Sequence, residues 1–328
     1  MLRSTIVRFS ASLALALPCL VAAPFALAQP YPAKPVKMVI GYSPGGPVDI
    51  LGRVLAQRLG AAMGQPFVVE NRGGAAGTIG AEAVARAAPD GYTLLSTVPS
   101  VFTIVPHTMD KTRVQASDFT PVVQFAEAPL VLVVHPSVPA ARWSELHALL
   151  KAPGSKLSYA SAGEGSLPHL AMELLLAQAG GRPVHVPYKG SGPAVQDLLG
   201  GQVDFMLDVL PSALPMIKAG RLKALAVTSR TRVAELPGVP TLAEAGVPGY
   251  EAVNWFGIYA PASTPKPVTD RLRAEVERIV SAKDMQQRLS ELGAVSRLRG
   301  PDEVTERLQR ESSQWGALIQ KLALKPGQ

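Results

Sequence analysis

The chain has 328 residues, 47% of them hydrophobic and 5% aromatic, with one cysteine and a formal charge of +7. That length exceeds one typical core, so two domains are expected. The basic residues are scattered, with no Lys/Arg block and no interleaved aromatics, which argues against nucleic-acid binding, and a lone cysteine excludes a disulfide framework.

The first element is a leader. Residues 1–28 carry Arg3 and Arg8, an apolar run from Ala11 to Leu27 and a small-x-small end at Ala26-Leu27-Ala28. This is the pattern of a cleavable export signal cut after Ala28. The run is short and broken by Pro18 and Pro24, too little for a membrane span. Cys19 follows Leu17-Pro18, which does not suit a lipid anchor, and its loss with the leader leaves no thiol. An unanchored exported chain stays with its cell only behind an outer membrane, so a periplasmic location is expected.

Residues 36–42 then read as a strand, and Leu51, Val54, Leu55 and Leu59 mark one face of a helix between Pro47 and Gly64. Phe67–Glu70 is a second strand, Asn71–Gly77 a turn into a helix through Ala88, and Tyr92–Thr97 a third strand. This βαβαβ order predicts a parallel sheet with ligand loops at the carboxyl ends of its strands. The pattern repeats. Strands are expected at 130–134, 156–160, 183–187, 203–207 and 222–227, with helices between them. Two α/β units in tandem predict two lobes with a cleft between. The tail holds a strand at 252–260 and helices at 267–282 and 302–323, the last with Val304, Leu308, Trp315, Leu318, Ile319 and Leu322 on a core stripe. It is expected to return to the first lobe, giving two interlobe crossovers and hinges near Ala126–Leu130 and Tyr250–Asn254.

The glycine loops are the candidates for chemistry. Gly41-Tyr42-Ser43-Pro44-Gly45 matches G-x-S-x-G between strand and helix, as a hydrolase nucleophile would require. The residue after that serine must donate its N–H to an oxyanion, and Pro44 has none. A binding loop is the better functional reading, with Tyr42, Ser43 and the N–H groups of Gly45 and Gly46 facing a ligand at a helix N-terminus. An ordinary turn capped by Asp49 fits equally well. Ser161–His169 is the matching loop of the second unit. Gly163 and Gly165 permit close backbone approach, and Ser166 is a natural N-cap. Asp208 ends a strand beside Val209 and is a candidate ligand contact. Trp255 and Phe256 can wall a pocket or simply pack in the core. The histidines stand too far apart for a metal pair, and no Walker or dinucleotide motif is present, so neither metal nor cofactor is expected.

Several segments together resemble the Bug family of TctC-like periplasmic solute-binding receptors of tripartite tricarboxylate transporters. They are Tyr31–Lys37, Pro44–Asp49, Val69–Gly77, Ala88–Leu94, Tyr159–Ser166 with His169, Val186–Gly190, Gly200–Asp204 and Trp255–Pro261. The resemblance implies an α/β, two-lobed type II periplasmic binding protein fold. Each lobe is a mostly parallel sheet flanked by helices. Lobe 1 is residues 29–128 plus 253–328, and lobe 2 is residues 129–252. It implies a ligand gripped in the cleft by the first-strand loop and the Ser161–His169 loop. The expected contacts are Tyr42, Ser43, Gly45, Gly46, Asp49, Thr97, Ser161, Gly163, Gly165, Ser166, His169, Asp208 and Trp255. The ligand would be a small carboxylate or related solute, and the partners integral-membrane transporter subunits reached by a monomeric receptor. One departure stands out. After the third strand the family commonly shows a polar stretch, whereas Ser96–Val105 is mostly apolar here, which favours a ligand less charged or partly aromatic. Two other functions are consistent with the sequence: a secreted esterase using Ser43, and a ligand sensor for a membrane kinase.

Overall fold

The computed structural model describes residues 31–109 and 113–322; the leader and its cut after Ala28 lie outside them. The first unit comprises β1 (Val36–Ile40), α1 (Pro47–Met63), β2 (Phe67–Asn71), α2 (Thr78–Ala85), β3 (Thr93–Thr97) and the short helices α3 (Ser100–Thr103) and α4 (Val105–Thr108). A long strand, β4 (Phe119–Val134), leads to α5 (Trp143–Lys151), β5 (Ser158–Ser161), α6 (Leu167–Ala179), β6 (Val184–Pro187), α7 (Ser191–Leu199), β7 (Phe205–Val209), α8 (Leu210–Lys218) and β8 (Lys223–Val227). The chain ends with β9 (Val253–Pro261), α9 (Lys266–Ser281), α10 (Lys283–Glu291), β10 (Val295–Arg299) and α11 (Pro301–Lys321).

Local chemistry sets the key boundaries. α1 opens with Pro47 in its first turn, where a missing N–H costs nothing, and stops at Gly64, whose φ of 72° only glycine adopts readily. Leu51, Leu55 and Leu59 recur at helical spacing, are fully buried and share a core with Val36, Met38 and Ile40 of β1. β1 is buried along almost its whole length, as a central parallel strand must be.

The strands form one curled ten-stranded sheet in the order β2-β1-β3-β9-β4-β7-β5-β6, with β8 and β10 pairing off β4. β1 runs parallel to β2 and β3, and β5 parallel to β6 and β7. β4 joins the two halves. Its stretch Phe119–Pro129 pairs antiparallel with β9, and Leu130–Val134 pairs with β7 and β8. Thr228 sits at the join, fully buried. Its Oγ1 accepts from Leu130 N at 2.8 Å and donates to Ala252 O at 2.5 Å, so one side chain ties together both chain crossings between the halves.

Most expected elements are present, with three differences. β4 begins eleven residues before the expected strand at 130, counting from Phe119. The short helices α3 and α4, and α10 and β10, were not anticipated. Trp315 and Leu318, placed on a core stripe by their spacing, are only half-buried; Trp315 still packs against the core, and both line a cavity. Among the described residues no helix is long and apolar enough to cross a membrane.

Candidate functional site

The loop after β1 is shaped by one carboxylate. Asp49 is 5% exposed. Its Oδ2 accepts from Gly45 N at 3.0 Å, and its Oδ1 accepts from Arg53 Nε at 2.8 Å and Asn71 Nδ2 at 2.9 Å. Asn71 Nδ2 also donates to Tyr42 O at 3.1 Å, fixing both ends of the loop. Tyr42 turns inward and donates to Ala76 O at 2.8 Å, with Ser100 Oγ at 3.4 Å. Burial pushes its phenol up to about 12, against the opposing pull of Ser100, so it is a neutral donor at any physiological pH.

The loop after β5 is shaped by backbone conformation and imidazole. Gly163 and Gly165 have φ of 119° and 75°. A Cβ on Gly165 would lie 2.6 Å from Thr108 Oγ1, and one on Gly163 would lie 2.9 Å from Tyr188 O. Ser166 caps α6 by accepting from His169 N at 3.4 Å. Gly165 N donates to His169 Nδ1 at 3.3 Å. His169 stacks on His185 at 4.3 Å, which stacks in turn on Tyr159 at 4.7 Å. Burial, and His185 beside it, pull His169 down to about 3, while burial pulls His185 down to about 4. Both rings are neutral near pH 7, which leaves Nδ1 of His169 free to accept. Ser161 Oγ bonds His185 Nε2 at 2.7 Å and accepts from Gly163 N at 3.2 Å.

A third loop, after β6, closes the group. Ser43 N and Oγ both donate to Lys189 O, at 3.2 and 2.9 Å. The backbones then pass so closely that a Cβ on Gly192 would lie 2.1 Å from Pro44 O. The α7 N-terminus is thereby brought to the first loop. Asp208, fully buried, lies behind it. Its Oδ2 accepts from Ser212 Oγ at 2.5 Å, and its Oδ1 has no partner. Burial, only partly offset by hydrogen bonds from Ser191 and Ser212, pushes this carboxyl up to about 6.

These loops enclose an inner cavity of about 20 Å³, walled by Tyr42, Val48, Ser100, Ser166, Ser191 and Asn254 among others. That is little more than the roughly 10–15 Å³ one water needs. Of the residues expected at the site, Tyr42 and Ser166 line the cavity directly. Ser43, Gly45 and Gly46 lie at the contact with the α7 N-terminus. Asp49, Ser161, Gly163, Gly165 and His169 hold the loops from behind through the bonds above. Thr97 is buried one residue before Val98, which lines the cavity, and its Oγ1 has no partner. Trp255 stands apart. It is fully buried with Val39, Leu95 and Tyr259, and its Nε1 donates to Glu311 at 3.1 Å. Strand alternation explains this, since neighbours on β9 face opposite sides and it is Asn254 that reaches the cavity. Asn254 Oδ1 is itself buried and unpartnered. Sequence reasoning missed Ser100, Ser191 and Asn254. The glycine-flanked run Lys189–Gly192 was the one available signal, and it pointed to Ser191.

The lining contains no Lys or Arg, and among the described residues no three His, Cys, Asp or Glu side chains cluster to hold a metal. An uncharged cavity between the two halves of a curled sheet, walled by tyrosine and serine hydroxyls and Asn254, has the form of a ligand-binding site in a two-lobed protein. Comparison with known proteins gives the particular family. Residues 51–324 match the TctC model, the tripartite tricarboxylate transporter family receptor, and the chain belongs to that family, whose members are solute-binding proteins. It is 40% identical over 309 residues to a UPF0065 protein in the tcbD-tcbE intergenic region of Pseudomonas sp. strain P51, covering 91% of this chain and 89% of that one. It is 36% identical to Protein BugT of Bordetella pertussis strain Tohama I, covering 93% and 94%. Among solved structures, R. palustris Rpa4515 with adipate superposes with a TM-score of 0.88 at 34% identity, covering 90% of this chain and 99% of that one. MatC (Rpa3494) from Rhodopseudomonas palustris with bound malate gives 0.83 at 34%, covering 88% and 100%. The Bug-family resemblance and the two-lobed α/β fold are therefore as the sequence led us to expect.

Proposed function

We propose that this chain is an exported receptor that captures a small carboxylate between its lobes by hinge closure and delivers it to integral-membrane subunits of a secondary transporter. The single observation that carries this reading is the inner cavity, whose walls come from the loops after β1, β3, β5 and β6 together. A ligand touching all of them makes contacts an open form lacks, so binding shifts the population toward closure. The lobes are residues 29–128 with 253–328, and residues 129–252. The leader is removed after Ala28, and the receptor acts as a monomer in the periplasm.

Family relatives hold adipate and malate, which supports a carboxylate headgroup here. With no cation in the lining, that headgroup is held by neutral donors: the hydroxyls of Ser100 and Ser166 and the loop N–H groups. Asp208, behind the α7 N-terminus, is pushed up to about 6, so it is neutral in mild acid and ionised above that. The receptor binds without turnover. Ser43 spends its hydroxyl proton on Lys189 O, and Pro44 offers no oxyanion donor.

Calorimetric titration of the mature protein with acetate, malate and adipate tests this. We expect saturable binding of at least one. A ligand at a hundredfold excess over its Kd adds about 2.7 kcal/mol of stability, readily seen as a higher Tm. Absence of heat and of any Tm shift with all of them would remove the carboxylate reading.

A further inference from the structure

A second, larger cavity adjoins the first. It measures about 380 Å³ and lies between α3, α6, α11 and the chain at Glu251–Val253. Ser100 and Leu167 line both spaces, and residues 252–254 run from one to the other. The inner cavity is too small for more than a headgroup, whereas the outer chamber has over twice the roughly 150 Å³ that takes up benzene in an engineered core.

The chamber's chemistry is mixed, but its charges are already matched. Arg307 is the only basic residue in the lining. It pairs with Glu127, donates to Glu311 at 2.7 Å and lies 5.0 Å over the Trp255 ring. Burial alone would lower its pKa; the bonds to Glu127 and Glu311 outweigh that and hold it raised. Glu251 is bonded by Arg230 at 2.7 Å. A second carboxylate arriving here would meet Glu311 and Glu251 and no unpaired cation. The rest of the wall joins the polar side chains of Ser100, Thr103 and Gln314 to an apolar stretch of Ile104, Leu174, Leu318 and the half-buried face of Trp315. Leu174, Trp315 and Leu318 stay only partly buried there, and such side chains grouped on one stretch of the chamber point to an apolar occupant.

We propose that the ligand of this receptor is a monocarboxylate whose uncharged, apolar or aromatic tail passes Ser100 and Leu167 and packs on Trp315 in the outer chamber. This rests on the carboxylate reading of the inner cavity and narrows it. The carboxylate supplies the anchor, and the chamber selects against dicarboxylates of similar length.

The test is calorimetry on the mature protein with acetate, adipate and phenylbutyrate, repeated with Trp315→Ala and Trp315→Phe. We expect phenylbutyrate to bind about tenfold more tightly than acetate or adipate, the scale of one buried aromatic ring. Trp315→Ala should remove most of that gain and leave acetate affinity unchanged. Trp315→Phe keeps a ring on the same helix face, so it should fold as wild type and retain the preference. Adipate binding as tightly as phenylbutyrate, or a preference that survives Trp315→Ala, overturns the chamber assignment while leaving a carboxylate receptor standing. Failure of all three acids to bind removes the carboxylate reading and this inference with it.

Discussion

The loops after β1 and β5 do the same work by different chemistry. The first is braced by side-chain charge: Asp49 collects Gly45 N, Asn71 Nδ2 and Arg53 Nε. The second is braced by conformations open to glycine and by a neutral imidazole, His169, accepting from Gly165 N. The imidazole braces its loop only while it is neutral. The two halves of one site thus answer differently to sequence change.

The sharpest way to separate them is Gly165→Ala. It forces a Cβ to within 2.6 Å of Thr108 Oγ1 at a φ of 75°. Overpacking and left-handed strain together cost about 3 kcal/mol, so ligand affinity should drop on the order of a hundredfold in calorimetry. Acid comes next. His169 and His185 titrate near 3 and 4 in the fold but near 6.5 unfolded. Between those values the unfolded chain binds more protons, so stability is full above pH 6.5 and is lost as pH falls toward 4. Asp208, raised to about 6 from 3.8, acts in the opposite sense, favouring the fold as pH falls through that window. The histidines span more of the scale, and Tm should fall on the order of 5 °C between neutrality and about pH 4.5. A flat Tm would show that the imidazole brace carries no weight. Asp49→Ala should cost about 1–2 kcal/mol by stranding Gly45 N and Asn71 Nδ2, visible as a lower urea midpoint. An unchanged midpoint would show that the first loop does not depend on its carboxylate brace. Asp208→Asn has the smallest expected effect near pH 5, where the native side chain is already protonated. Above about pH 6 it should bind carboxylates better than wild type, because ionised Asp208 then repels the ligand.

Strand and helix order in the first unit was legible because β1, α1 and β3 carry clean apolar periodicity. The first half of β4 was not. Thr120-Pro121, Gln124, Glu127 and Pro129 obscure its alternation, and the strand accommodates them with register shifts at Pro121/Val123 and Gln124/Ala126. β10 is short, carries Arg297 and Arg299 and is barely buried, so nothing in its composition marks it as a strand. At the site, the loops were readable as glycine turns, but their supports were not. His185 stacking on His169 and Asn71 bonding to Asp49 are contacts between residues far apart in sequence. The same limit explains Trp255 and Asn254, where residue size pointed to the aromatic but strand parity sends it to the core.

The bond pair from Ser43 to Lys189 O has a consequence for how such receptors diversify. It joins the loops without using any atom of the inner cavity lining. Apparent affinity scales with the fraction of molecules already in the binding-competent form. Substitutions at Ser43 or in residues 188–190 can therefore raise or lower affinity for every solute by one common factor, while Trp315 and its neighbours change which solute is preferred. Strength and selectivity are then set by separate stretches of chain and can be selected separately.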